Sequence, residues 1–498
     1  MSKSIIIIGA GVAGLSAGCY GQMNGYRTRI FELHDKAGGL CTSWKRKGYT
    51  FDGSIHWLVG SREGSINRVW QELGAVQGRR MVDHEEFTRI VGTDGRTFIV
   101  YTNIDRLEQH MKELAPADDK VTAEFIRALR RFSRFDQGSG DPTKPPGLFD
   151  KIKGGLNMLP FMPALLKYSK MTVQDFGARF SDPLLRQAFP IIFDLPDCPM
   201  VALLFTLAWM HNQNAGYPIG GSLAFAQGIE RRYIGLGGEI GYKSRVEKIL
   251  TENGRAVGVR LTDGSEHRAD VVISAADGHA TIFDMLGGKY VSDEVRGYYD
   301  ELPIFAPMIQ VSLGVARDLS AEPQSVSFML DEPLTIAGKA RSRLWARHYG
   351  YDPTMAPEGK TMLNVLMESD HAYWEKLYQE RERYDAKKKD IAIKVIAQLE
   401  ERFPGITGQV EVADVATPMT YIRYTGNWQG SMEGWLPTPR TMSMREGMDK
   451  TLPGLENFYM VGQWVEPGGG LPPAATSGRG VIQMICKGDD RPFEAKIP

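Results

Sequence analysis

Three glycines spaced as GxGxxG occur in Gly9-Ala10-Gly11-Val12-Ala13-Gly14, and Glu32 ends the next apolar run. This spacing suits the pyrophosphate and ribose of a dinucleotide. Gly9 permits a tight turn, Gly11 has no Cβ to hold a pyrophosphate away, and Gly14 lets a helix close on a strand. Around Val12 and Ala13 a helix N-terminus offers free N–H groups and partial positive charge to phosphate. Glu32, followed by Leu33, can accept hydrogen bonds from ribose hydroxyls, and its charge would repel the 2′-phosphate of NADP. An isolated GxGxxG also occurs as a structural turn in other α/β domains. An apolar strand before it and a helix after it select the nucleotide reading.

Two further side chains have types suited to chemistry. His56 lies in Gly48-Tyr49-Thr50-Phe51-Asp52-Gly53-Ser54-Ile55-His56-Trp57, and Arg423 in Tyr421-Ile422-Arg423-Tyr424-Thr425-Gly426-Asn427. His56 could exchange protons or be a hydrogen-bonded structural residue. Arg423 could pair with a carboxylate or brace a junction between domains. No acid–base pair for an alcohol substrate is evident. Cys19, Cys41, Cys198 and Cys486 are scattered without a CxxC pair or metal-ligand spacing. No metal site is expected, and a reducing, cytoplasmic setting fits.

The elements that must position these residues follow from periodicity. Ser4 to Ile8 reads as a buried strand, Leu15 to Asn24 as a helix and Thr28 to Glu32 as a second parallel strand, together a βαβ unit. Phe87 to Tyr101 alternates around Asp94-Gly95 as a hairpin. A helical pattern runs from Asp105 to about Phe135, Gly138 to Pro146 reads as a loop, and helices continue to about Met210. A helix is expected over Leu223 to Gly235, then strands at Arg245–Thr251, Ala256–Thr262 and Val271–Ala275. Met308 to Val315 reads as a strand. Trp374 to Arg402 reads as one charged helix with a solvated face.

With 498 residues, 42% apolar and 24% charged, the chain can bury large cores in roughly two to four domains. Its formal net charge of −1 gives no broad basic character for nucleic acid. Ile5 to Ile8 is too short for a signal-peptide core, and no run of ~18 apolar residues predicts a spanning helix. The apolar, proline-interrupted segment Leu156 to Leu166 is flanked by Lys151, Lys153, Lys167 and Lys170. It reads as an internal helix pair or as a segment touching a membrane surface.

Several motifs resemble one family. Lys36-Ala37-Gly38-Gly39-Leu40-Cys41 is similar to the glycine doublet of the FAD-binding amine oxidase and phytoene desaturase superfamily. The segment Gly48 to Trp57 resembles the GYxFDxG motif of phytoene desaturases, carotenoid isomerases and retinol saturases. Asn457-Phe458-Tyr459-Met460-Val461-Gly462, leading to Gly468-Gly469-Gly470-Leu471-Pro472-Pro473-Ala474-Ala475, resembles their C-terminal flavin segment. Pro218-Ile219-Gly220-Gly221 and Val246 resemble the middle segment, and Tyr421 to Asn427 resembles an ERYTGN segment.

The resemblance implies an α/β fold: a Rossmann-like FAD-binding domain of glutathione-reductase and amine-oxidase type with an inserted α+β substrate domain. The expected division is 1–75, 216–290 and 450–498 for FAD, and 76–215 and 291–449 for substrate, with a helical, membrane-contacting part. It implies FAD contacts at Gly9, Gly11, Val12, Ala13, Gly14, Glu32, Leu33, Gly38, Gly39, Leu40, Ser54, His56, Val246, Gly462, Gly470, Leu471, Pro472 and Ala475. His56 and Arg423 are the catalytic candidates. The implied activity is desaturation, saturation or isomerisation of an apolar isoprenoid, carotenoid-like or fatty lipid, with hydride passing through flavin N5. Two alternatives stand beside it. One is a flavin amine oxidase, although Met308 to Val315 carries no lysine where such enzymes commonly place one near N5. The other is a flavin-binding lipid carrier without catalysis.

Overall fold

A computed structural model describes residues 2–135, 159–442 and 448–498. Five parallel strands form one sheet, in the order Phe458–Met460, Val271–Ser274, Ser4–Ile8, Arg27–Phe31 and Glu239–Gly241. Its members come from the beginning, middle and end of the chain. The strand Ser4–Ile8 is central and buried on both faces. Ile5 and Ile7 pack into one apolar cluster with Leu15, Val481 and Ile482, while Ile6 and Ile8 pack into another with Val259 and Leu261. A parallel strand covered on both sides needs an uninterrupted apolar run.

Two helices lie together on one face of this sheet, Val12–Met23 and Leu471–Gly488. A Cβ at Gly478 would stand 2.5 Å from the Ala13 carbonyl oxygen and 2.7 Å from the Ala17 nitrogen, so only glycine allows this approach. The other face carries the antiparallel strands Val246–Glu252, Arg255–Leu261 and Glu266–Arg268.

A second, mixed sheet has seven strands, in the order Val410–Ala416, Met308–Val315, Thr361–Glu368, Lys339–His348, Ser325–Ile336, Glu86–Val91 and Thr97–Tyr101. Six helices lie near it in sequence: Ile104–Leu114, Asp119–Phe132, Met162–Ser169, Val173–Gly177, Pro183–Ala188 and Met200–His211. Their core is rich in phenylalanine, with Phe125, Phe176, Phe180 and Phe189 in mutual ring contact.

The expected hairpin around Asp94-Gly95 is present, as is the strand Met308–Val315. Two expected helices are divided. The helix from Asp105 breaks at Pro116, which cannot donate within a helix interior. The charged helix is two, His371–Tyr378 and Arg381–Arg402, the first capped by Asp370 accepting from the Tyr373 nitrogen at 2.9 Å. It is also not merely a solvated face. Ile391, Val395 and Leu399 repeat at i, i+4, i+8 and are buried against the second sheet.

The loop expected at Gly138 to Pro146 lies outside the described residues, as do Leu156 to Met158, Lys151 and Lys153. The remainder of that apolar segment enters the helix Met162–Ser169, with Leu159 60% and Leu166 56% exposed. Among the described residues no helix is long and apolar enough to cross a membrane.

Candidate active site

The first glycine turn joins the strand Ser4–Ile8 to the helix Val12–Met23. Gly9 holds φ +97°, and its N–H donates to the Phe31 carbonyl at 2.8 Å. A Cβ at Gly14 would meet the Gly9 carbonyl oxygen at 2.0 Å, so Gly14 is required for the turn itself. Gly11 differs: a Cβ there meets nothing within 4 Å. The chain's own packing does not require glycine there. Gly11 is the N-cap, and no side chain caps the helix. The N-terminal N–H groups of this helix therefore face an open groove.

Glu32 is buried beside this turn. Its carboxylate accepts the Ala10 N–H at 2.6 Å and the His34 N–H at 2.8 Å. Burial raises its pKa, and these backbone hydrogen bonds oppose the shift. The Glu32 carbonyl accepts the Ser244 N–H at 2.8 Å, which draws the chain leading to Val246 alongside it. Gly38 pairs with Gly11 in an isolated parallel bridge, and a Cβ at Gly39 would lie 3.3 Å from the Gly11 Cα. The doublet thus forms the opposite lip of the groove, and Leu40 follows it into a neighbouring cavity.

The C-terminal segment closes the third side. Gly462, with φ +99°, would place a Cβ 3.4 Å from that of Ala13. Its N–H donates to Ser477 Oγ at 3.1 Å, and Ser16 Oγ donates to the Ala475 carbonyl at 2.6 Å. Gly470, with φ +85°, caps the last helix without a side-chain bond, and Leu471 and Pro472 begin it. Two uncapped helix N-termini, an open glycine and a buried carboxylate fit the phosphates and ribose of a flavin dinucleotide. Gly9, Gly11, Val12, Ala13, Gly14, Glu32, Gly38, Gly39 and Gly462 meet here.

Ser54 and His56 are reached through Asp52. The Asp52 carboxylate accepts the Ser222 N–H at 2.7 Å, the Ser222 hydroxyl at 2.6 Å and the Ser54 N–H at 3.1 Å, while Ser222 Oγ accepts the Ile55 N–H at 2.8 Å. Gly220 and Gly221, with φ +97° and +63°, turn the chain so that the Ser222 N–H, in the first turn of the helix Gly221–Gly235, points at Asp52. The His56 ring stands 5.4 Å from Trp345 and 6.1 Å from Trp57, and Trp57 stacks on Phe193. Burial, with the charge of Arg347 second, drives its pKa well below 6.5, so the ring is neutral at neutral pH.

A cavity of ≈ 450 Å³ opens between the glycine doublet and the helices and edge strand of the second sheet. Lys36, Arg46, Arg381, Lys388 and Arg423 outnumber Asp35 and Asp414 and make it basic, and Trp44, Tyr378, Tyr421 and Tyr424 supply aromatic walls. Burial lowers the pKa of Lys36 and of Lys388. Arg423 is exposed on the helix Pro418–Thr425, over the Tyr424 ring at 5.3 Å. A Cβ at Gly426, φ +71°, would lie 3.8 Å from Leu33 Cδ2, so this segment runs beside Leu33. His56 is not among the lining residues, so the two catalytic candidates do not share this space.

Sequence reasoning passed over Asp52, Ser222, Gln310 and Asn364. Gln310 Nε2 and Asn364 Nδ2 donate to the Asp52 carbonyl at 2.8 and 2.9 Å. Asp52 stood in plain sight within a motif, but its partners are distant in sequence. Among the described residues no group of His, Cys, Asp and Glu could hold a metal ion.

Residues 12–483 match the family described as flavin containing amine oxidoreductase. The chain is 27% identical over 521 residues to the chloroplastic prolycopene isomerase of Arabidopsis thaliana, covering 95% of this chain and 81% of that protein. It is 25% identical over 512 residues to a lycopene-forming phytoene desaturase of a Paracoccus species, covering 97% of each. Among solved structures, cyclohexylamine oxidase from Brevibacterium oxydans superposes with a TM-score of 0.58 at 14% identity, over 99% of this chain and 100% of that one. That likeness concerns the fold.

Proposed function

The chain belongs to the flavin-containing amine oxidoreductase family, an FAD-dependent oxidoreductase family, and from that premise we propose that it acts on carbon–carbon bonds of an apolar, isoprenoid or carotenoid-like lipid. Desaturation, saturation and isomerisation are the reaction types. The observation that carries this reading is the pair of relatives named for carotenoid isomerisation and desaturation, aligned over 95% and 97% of the chain. The site is compatible. Where an amine oxidase commonly offers lysine, the strand Met308–Val315 offers buried Gln310, held to Asp52 and Ser312.

FAD supplies hydride exchange when bound. Gly9, Gly11, Val12, Ala13, Gly14, Gly38, Gly39 and Gly462 would admit its pyrophosphate, and Glu32 with Leu33 would hold the ribose. Val246 would lie on the adenine side. Leu40, Ser54, His56, Gly470, Leu471, Pro472 and Ala475 would line the ring end. The division 1–75, 216–290, 450–498 and 76–215, 291–449 remains our assignment of binding and substrate domains. The aromatic row Trp57, Phe87, Phe193 and Trp345 suits a polyene, with neutral His56 as its polar member. Arg423 would orient a ligand from the basic cavity. Exposed Leu159, Met162 and Leu166 support contact with a lipid surface through which such a substrate would enter.

Carotenoid and isoprenoid substrates incubated with oxidised and with pre-reduced holoenzyme, read by mass spectrometry, test this proposal. A two-hydrogen change fixes the direction, and altered retention at constant mass identifies isomerisation. Hydrogen peroxide release on adding amines, with every polyene unchanged, would replace the reading by amine oxidation. A flavin that is never reduced and no altered lipid would leave a carrier.

A further inference from the structure

Glu433 takes no part in the contacts described above. It follows the turn Trp428–Gly430 and precedes fully buried Trp435. Its carboxylate lies over the glycine turn that opens the last helix. A Cβ at Gly469 would meet Glu433 Oε2 at 2.2 Å and its Cβ at 2.9 Å. Gly469 has φ +69° and is buried. A side chain there would both strain the backbone and displace the carboxylate.

Glu433 itself is partly buried, and among the described residues no hydrogen bond or ion pair holds its carboxylate. Burial alone pushes its pKa up to about 7. From the helical layer the buried Cys198 thiol faces it, pushed up to about 12 by burial first and by the Glu433 charge second. A partly buried carboxyl group without a partner is easier to protonate than one in water. Such groups concentrate where a proton is moved.

We propose that Glu433 is the proton donor and acceptor of the carbon–carbon chemistry, set beside the turn Gly468–Gly470 at the ring end of the flavin groove. This rests on the function proposed above. When a double bond forms between neighbouring carbons, one hydrogen departs as hydride and the other as a proton. The C–H electron pair left by the proton becomes the new π bond, and the proton moves to a Glu433 carboxylate oxygen. Oxidised FAD, when bound, would take up that hydride with its two electrons. In the reverse direction Glu433 returns the proton to carbon.

Flavin-loaded Glu433→Gln and Glu433→Asp variants test this. Infrared difference spectra without substrate should show, in wild type, a protonated carboxyl band that vanishes around pH 7 and is missing in Glu433→Gln. With a polyene that wild type converts, Glu433→Gln should lower kcat about 100-fold or more while KM stays within about threefold, and Glu433→Asp should recover part of the loss. A missing wild-type band, a kcat retained in Glu433→Gln, or loss of flavin from that variant overturns the proposal. If wild type converts no polyene at all, the functional reading fails, and the infrared band still decides whether Glu433 holds the proton.

Discussion

The Asp52 carboxylate accepts both the backbone N–H and the hydroxyl of Ser222, at 2.7 and 2.6 Å, while the Asp52 carbonyl receives Gln310 and Asn364 from the second sheet. One residue therefore ties the N-terminus of the helix Gly221–Gly235 to the second sheet. Asp52→Ala strands buried donors at Ser222 and Ser54. It should lower the unfolding free energy by about 3 kcal/mol, the scale of hydrogen bonds to a buried charge, as read by urea denaturation.

The same group makes stability pH-dependent. Burial raises Asp52 from 3.8 to about 6, with the Ser222 hydrogen bonds opposing. The folded protein thus holds this proton more tightly than the unfolded chain. The stabilising contribution is complete below about pH 3.8 and is lost as pH rises through about 6. Relative to Asp52→Asn, wild type should lose up to about 3 kcal/mol across that window. Parallel pH curves for the two proteins would contradict the assignment.

Gly11 and Gly14 should separate binding from folding. At Gly11 a Cβ meets nothing, and the backbone at φ −66°, ψ 174° suits any residue. Gly11→Val should leave the apoprotein Tm unchanged and abolish flavin retention. A Cβ at Gly14 strikes the Gly9 carbonyl at 2.0 Å. Gly14→Ala should therefore destabilise the apoprotein as well. A yellow Gly11→Val protein of normal stoichiometry would remove this groove as the flavin site.

Glu32→Ala should weaken FAD binding by about 1.5–3 kcal/mol, the scale of charge-assisted hydrogen bonds, in a fluorescence titration of apoprotein. Because Glu32 also accepts from Ala10 and His34, the variant should lose some apoprotein stability too. Unchanged affinity would place the ribose elsewhere.

His56→Ala should retain flavin and lose at least about tenfold in turnover. Burial, then Arg347, lowers the His56 pKa, so the unfolded chain takes up this proton more readily than the folded one. The contribution to stability is present above about pH 6.5 and is lost as pH falls. In His56→Ala the slope on the acid side should flatten. Full turnover in the variant would make the imidazole structural.

The glycine spacing, the buried isoleucine strand and Glu32 were legible in the sequence because each depends on neighbours a few residues away. An open Cβ position at Gly11 and a forbidden one at Gly14 are consequences of one local turn. The chain alone also led to the expectation that glycine-rich segments at its beginning, middle and end form one unit, and strands from all three regions do share the first sheet. It did not reveal most of the second sheet, whose strands Ser325–Ile336 and Lys339–His348 mix exposed and buried positions. Nor did it reveal the partners of Asp52, or Glu433 above Gly469. Those relations join residues far apart in the chain, and pairing at that distance leaves no period or spacing. Only the packing of the two sheets and the last helix decides which carboxylate is satisfied and which is left with a proton to exchange.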